Sequence, residues 1–281
     1  MKTILVPTDF SDQATYALDM AAAIARKSNA KVHLLNVVEA PHGSSFNAMG
    51  EVTMPDASDN MFFVQMVEAS KGKFATMAEE GKYADIKLDG LVEVGHPFEH
   101  ISRTITEHEV DLVVMGTQGT SGGMEEFFVG SNTEKVVRRA KCPVLTVKTP
   151  VDISGIKNIA FATNFRDDYS VLIEQLVNLQ KLFDATIHMV SVNTPSSFET
   201  DRYYKKAMKE FVEKYRLENY TMNVYNDDPE EDGIIYFAED INADMIALGT
   251  HGRTGLGRLL SSSIAEDIVN HAKRPVWTFK L

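Results

Sequence analysis

The feature that most limits how this chain can fold is a passage that occurs twice. Gly116 to Glu134 reads G-T-Q-G-T-S-G-G-M-E-E-F-F-V-G-S-N-T-E, and Gly249 to Glu266 reads G-T-H-G-R-T-G-L-G-R-L-L-S-S-S-I-A-E. Each follows an apolar run that reads as a buried strand, Leu112 to Met115 and Met245 to Leu248, and each run follows an aspartate, Asp111 or Asp244. Each passage leads into a helical pattern. A glycine-rich turn between a strand and a helix suits phosphate. Glycine lets the backbone come close, and the first N–H groups of a helix have no partner within it. Ser131 with Glu134, and Ser263 with Glu266, fit the S-x-x-E capping box and predict a helix start at each serine.

The likeness extends along the chain. Lys2 to Pro7 aligns with Lys157 to Ala162 at an offset of 155, and Pro7-Thr8-Asp9-Phe10 answers Ala162-Thr163-Asn164-Phe165. Pro143-Val144 answers Pro275-Val276. Repeats of this length are whole domains. Two are predicted, 1–149 and 154–281, parted near Pro150.

Within the first repeat, strands are predicted at Thr3 to Val6, Val32 to Val38, Leu88 to Val94, Leu112 to Met115 and Val144 to Val147. Helices alternate with them at Asp12 to Lys27, Met61 to Glu80, Pro97 to Glu107 and Thr133 to Ala140. Phe62, Met66, Phe74 and Met77 lie at helical spacing and predict a core stripe. Pro41 to Asp59 is polar and reads as a loop. The second repeat follows the same plan. Such alternation implies parallel pairing with right-handed crossovers. The expected fold is α/β: two doubly wound, Rossmann-like, five-stranded parallel-sheet domains of strand order 3-2-1-4-5. Strand five of each would be a bare edge. Pro143 to Lys148 and Pro275 to Lys280 are predicted to lie together as an intrachain pseudo-dimer, with Trp277 and Phe279 burying the seam. Association of two chains into a homodimer is left open.

Sheets of this kind bind ligands beyond the carboxyl ends of their strands, where the order reverses. Here that point falls between strands one and four. Pro7, Thr8 and Asp9 border it, with Val38 at the end of strand two and Gly116, Gly119, Gly130, Ser131 and Asn132 after strand four. Backbone groups near Val38 could pair with a base edge. Asp9 could bond ribose hydroxyls or a metal on the phosphates, or cap the next helix, a task that Ser11 could take instead.

Other features narrow the function. A net charge of −12 opposes a broad nucleic-acid surface. No run approaches the ~18 apolar residues of a membrane helix. The start of the chain enters a strand at once, with no apolar leader, and the single Cys142 suits a reducing compartment, so a cytoplasmic site is expected. Cys142, before Pro143, reads as a buried structural thiol. His96 and His100 form a weak metal pairing.

The residues resemble the universal stress protein family, and nearly the whole chain is similar to a tandem pair of its domains. Nucleotide-binding members carry G-x2-G-x9-G-[ST] after strand four and an aspartate after strand one. The resemblance implies an architecture like that of the adenine nucleotide alpha hydrolases, a role in stress response, and binding of ATP, ADP or AMP, with Mg2+ as a companion. In the first domain Asp9, Gly116, Gly119, Gly130 and Ser131 match, with ten residues between Gly119 and Gly130 rather than nine. Glu125 and Glu126 stand in that loop, and it holds no Lys or Arg. In the second, Gly249 and Gly252 match, with Arg253 and Arg258 offering positive charge, and Ser263 follows, but Ser262 replaces the third glycine and Asn164 the aspartate. The first domain is therefore expected to be the better adenosine site, and the second weakened or specialised. Three readings stand: a nucleotide-binding regulator with slow or no turnover, a nucleotide-independent scaffold, and an ATP-hydrolysing or nucleotidyl-transferring enzyme. The chain lacks the P-loop G-x4-G-K-[ST] and the dinucleotide fingerprint G-x-G-x-x-G after strand one.

Overall fold

The computed structural model describes residues 1–39, 45–46, 52–53, 57–117, 130–165, 169–250 and 262–281. The first half comprises β1 (Thr3–Pro7), α1 (Asp12–Ser28), β2 (Lys31–Val38), β3 (Ser45–Phe46), β4 (Val52–Thr53), α2 (Ala57–Glu79), β5 (Lys87–Val94), α3 (Pro97–Glu107), β6 (Leu112–Gly116), α4 (Ser131–Arg139) and β7 (Val144–Val147). The second comprises β8 (Asn158–Ala162), α5 (Ser170–Phe183), β9 (Thr186–Asn193), α6 (Asp201–Tyr215), β10 (Tyr220–Asn226), α7 (Glu230–Asp240), β11 (Met245–Thr250), α8 (Ser262–His271) and β12 (Val276–Lys280). β3 and β4 form a two-stranded ribbon within the segment expected to be a loop. The rest of that segment before α2 lies outside the described residues.

The main sheet runs β5-β2-β1-β6-β7 in the first half and β10-β9-β8-β11-β12 in the second. That is the expected 3-2-1-4-5 twice over, with parallel pairing inside each half. At the seam β7 and β12 pair antiparallel, Leu145 opposite Trp277 and Thr146 opposite Val276. The two sheets thus become one of ten strands. Thr146 Oγ1 donates to the Val276 carbonyl at 3.2 Å, and Thr278 Oγ1 to the Val144 carbonyl at 3.3 Å. Trp277 and Phe279 are both buried. Edge pairing of this kind satisfies backbone groups that would otherwise invite a second chain.

One continuous core lies on the sheet face covered by α1, α2, α5 and α6 and passes through both halves. The opposite face carries two separate cores, under α3 and α4 and under α7 and α8. On α2 the buried stripe runs through Phe63, Val67, Ser70, Phe74 and Met77, a spacing of alternating four and three residues. Met66, expected in that stripe, is one position off it and is 41% exposed. The side chain of Phe62 lies outside the description.

Two aspartates fasten the strand order. Asp111 Oδ2 accepts from the N–H groups of Lys2 and Thr3, and Asp244 Oδ2 from those of Lys157 and Asn158. The aspartate that opens each repeated passage therefore ties the start of strand four to the start of strand one.

Candidate nucleotide cleft

β1 and β6 are neighbours whose crossovers leave in opposite directions, so the chain parts above their carboxyl ends. The resulting cleft measures about 400 Å³. Its wall on the β1 side is a hydrogen-bonded turn. Thr8 Oγ1 accepts the Phe10 N–H at 2.9 Å, and Asp9 Oδ1 accepts the Ser11 N–H at 2.9 Å. Ser11 Oγ in turn accepts the Ala14 N–H, capping α1. Ser11 is therefore the helix cap, and Asp9 stands exposed at the cleft. The turn holds Phe10 at φ 64°, an uncommon left-handed conformation for an aromatic residue. The same shape recurs at Phe165, φ 57°, whose N–H goes to Thr163 Oγ1 at 3.2 Å.

Asn36 braces this turn from β2. Its Nδ2 donates to the Thr8 carbonyl at 2.7 Å, while its buried Oδ1 has no partner among the described residues. It lines the cleft, as do Gln13, Glu39 and Thr133. Sequence reasoning passed over all four. A polar side chain inside the apolar run Leu34-Leu35-Asn36-Val37-Val38 was the signal for the first of them.

Val38 does not face the cleft; Val37 does. Along a parallel strand, the N–H and C=O of alternate residues turn to opposite neighbours. The Leu35 carbonyl accepts the Thr8 N–H, and β1 ends at Pro7. Two residues on, the main chain of Val37 turns to the same side, above the end of β1. Val38 turns to β5, where its carbonyl accepts the Gly95 N–H at 3.0 Å. A one-residue step swaps both the backbone and the side-chain side.

Gly116 and Gly130 both line the cleft, but their missing side chains have different duties. A Cβ on Gly116 would stand 2.4 Å from the Gln13 carbonyl carbon and 2.7 Å from the Ala14 nitrogen. Its bareness admits the first turn of α1. A Cβ on Gly130 would meet nothing within 4 Å among the described residues, and Gly130 lines the cleft. Gly130 is the N-cap of α4, with its carbonyl accepting the Glu134 N–H. The expected capping box is not made: Ser131 is already helical, and Glu134 Oε1 instead accepts from Arg138 at 3.1 Å. Ser131 and Asn132, in the first turn, line the cleft.

In the second half, Gly249 is buried in β11, and its missing Cβ makes room for Leu172 and Leu281. It is not among the residues lining the cleft there, whereas Asn164 is. Asn164 Oδ1 accepts from the Tyr169 hydroxyl at 3.0 Å. Gly119 and Gly252 lie outside the described residues. Ser262 and Ser263 fall in the first turn of α8, inside the helix rather than at a cap on Ser263, and their side chains are not described.

His96 is the N-cap of α3, and His100 Nδ1 lies 3.3 Å from Glu93 and 3.0 Å from Arg103. Among the described residues, no group of three or more His, Cys, Asp or Glu could hold a metal. Cys142 is buried, and burial pushes its thiol up to about 12.

Comparison with known sequences then settles the lineage. The sequence model of the universal stress protein family matches the chain twice, over residues 1–148 and 155–280. The chain belongs to the universal stress protein family. It is a tandem universal stress protein, with both repeats matched. It is similar to two universal stress proteins of Methanocaldococcus jannaschii. One is 30% identical over 154 residues, 52% of this chain and 94% of the relative. The other is 33% identical over 155 residues, 53% of this chain and 83% of the relative. Among solved structures, a universal stress protein from Archaeoglobus fulgidus matches at TM-score 0.75 and 20% identity, covering 99% of this chain and 98% of that one. A candidate universal stress protein from Pseudomonas aeruginosa matches at TM-score 0.66 and 20% identity, covering 100% and 93%. These likenesses show the tandem fold. Among the described residues of this universal stress protein, no helix is long and apolar enough to cross a membrane.

Proposed function

We propose that the first-half cleft seats an adenine nucleotide, and that the protein is a cytoplasmic stress-response regulator whose state follows nucleotide occupancy. One convergence carries the reading: the Val37 main chain, the Asp9 carboxylate and the first turn of α4 border a single cleft. The three suit the three parts of a nucleotide. Val37 offers a donor and an acceptor to a base edge. Asp9 can accept from ribose hydroxyls. Gly130, Ser131 and Asn132 present the positive end of α4 to phosphate. A volume of about 400 Å³ suits a ligand of that size.

The stretch Thr117 to Val129 has two glutamates and no Lys or Arg. Phosphate charge is then met by the α4 amides, and Mg2+ by Asp9 as a hard oxygen ligand. No Lys, Arg or His is among the described residues of the lining, which supports a bound signal with slow or no turnover over phosphoryl transfer. Gly249 serves packing and Asn164 replaces the aspartate, so the reading is kept for the first half.

The test is mass spectrometry of protein purified without added nucleotide, with ATP titrated into the wild type, Asp9→Ala, Gly130→Val and Gly252→Val. Co-purified ATP, ADP or AMP is expected. At least tenfold weaker binding is expected in the first two variants, with little change in the third. Protein that carries no nucleotide and shows no thermal shift with ATP is a scaffold. Steady ADP release above background identifies an enzyme.

A further inference from the structure

The second half has a cleft of its own, about 470 Å³, where β8 and β9 end and α7 begins. Its chemistry differs from that of the first. Pro229 answers Pro97, so Glu230, the first residue of α7, stands where the first half has the apolar Phe98. The Glu230 carboxylate is half-buried and forms no hydrogen bond or ion pair with the described residues. Burial raises its pKa, and Glu231 adds to the effect. Asp228 lines the same wall, and no Lys, Arg or His is among the described lining residues.

A second feature is independent of these acids. Ser191, on β9, lines the cleft at 7% exposure, and its hydroxyl has no hydrogen-bond partner among the described residues. Its counterpart Asn36 is occupied in bracing the β1 turn. Beyond it, Thr194 Oγ1 sits 2.9 Å from Ser196 Oγ and 2.8 Å from Ser197 Oγ, so the floor is an array of hydroxyl oxygens.

A carboxylate drawn from water without a cation is costly, and Ser191, nine-tenths buried as a residue, turns an unpartnered hydroxyl toward the cleft. A ligand that brings both a positive charge and several N–H donors satisfies the two together. A neutral polyol would leave the charge unmet. A bare metal ion would need more converging ligands than the described residues supply. We infer that this cleft binds a small organic amine, its ammonium held by Glu230 and Asp228 and sharing a hydrogen bond with Ser191. The inference goes beyond the nucleotide reading and does not depend on it.

The probe is 1,4-diaminobutane, titrated calorimetrically into the full chain at two ionic strengths, with 1,4-butanediol as its uncharged isostere. Saturable one-to-one binding of the diamine and none of the diol is expected. Glu230→Gln, which keeps shape and removes charge, should weaken binding at least tenfold, and Ser191→Ala several-fold. ATP affinity should be the same in Glu230→Gln as in the wild type. Three results overturn the inference: non-saturable diamine binding, as expected from a chain of net charge −12 acting as a polyanion; full binding in Glu230→Gln; or equal binding of the diol. A fall in ATP affinity in Glu230→Gln also overturns it, since the cleft would then be a nucleotide site.

Discussion

Replacing Gly116 by alanine separates a glycine that serves the fold from one that serves the cleft. The new Cβ would stand 2.4 Å from the Gln13 carbonyl carbon, 2.5 Å from its oxygen and 2.7 Å from the Ala14 nitrogen. Carbon atoms in contact rest at roughly 3.5–4.0 Å. The overlap is with helix backbone, so no side-chain rotation relieves it. α1 would have to lift from the sheet, against which Ala14, Ala17, Ala21 and Ala22 are buried. Overpacking of this kind costs about 1–3 kcal/mol. The smaller entropy of the unfolded alanine chain returns about 0.4–1 kcal/mol. The net is a loss of about 1 kcal/mol, and at about 2–4 °C per kcal/mol for a large domain the melting temperature falls by about 2–4 °C. Gly130→Ala is the control: its φ of −56° suits any residue and its Cβ would meet none of the described residues within 4 Å. Its stability should stay within about 0.5 kcal/mol of the wild type, while ATP affinity falls. Thermal and urea melts followed by circular dichroism read both variants side by side. If Gly116→Ala melts with the wild type, or Gly130→Ala loses as much as Gly116→Ala, then α1 does not need the bare backbone of Gly116.

Three further outcomes are expected. Arg138 lies 3.1 Å from Glu134 on its own helix and 3.1 Å from Glu266 on α8, joining the two halves. Arg138→Met should cost about 1–2 kcal/mol, between exposed and buried pairs. Burial raises the Glu266 pKa, so a proton can replace the lost partner. Urea melts should therefore show the deficit at neutral pH shrinking as the pH is lowered. Burial lowers the Lys148 pKa to about 8 from an ordinary 10.5. Its contribution to stability is then fully present above about 10.5 and lost as the pH falls through about 8. Lys148→Met should stabilise the chain relative to the wild type more at pH 7 than at pH 10, and equal differences at both would refute this. Cys142, buried and with its thiol pushed up to about 12, should resist an aromatic disulfide reagent in the native state and react on unfolding.

The plan of the fold was legible because it rests on long periodic runs and on a duplication. Parallel pairing followed from five strands alternating with four helices in each repeat, and the seam from two edges that needed cover. What sequence reasoning missed turns on single-residue steps. Val37 and Val38 are equally apolar, and only the length of β1 decides which faces the cleft. Met66 and Val67 suit the same helix, and the 63–77 stripe chooses the valine. Ser131 and Glu134 have the capping spacing, but Arg138, one turn further on, holds the glutamate. Gly116 and Gly130 are alike in composition, and only the approach of α1 shows that one is needed for packing. Asn36 was readable as a polar residue in a buried strand, but its bond to the Thr8 carbonyl required the register of β2 against β1.

The antiparallel junction of β7 with β12 has a directional result. Every strand of the main sheet in one half points its carboxyl end opposite to every strand of the other half. Both clefts open at carboxyl ends, so their mouths look away from each other across the width of the molecule. A protein seated over one mouth leaves the other free to fill and empty. Whatever reads both clefts at once must grip this chain from two sides.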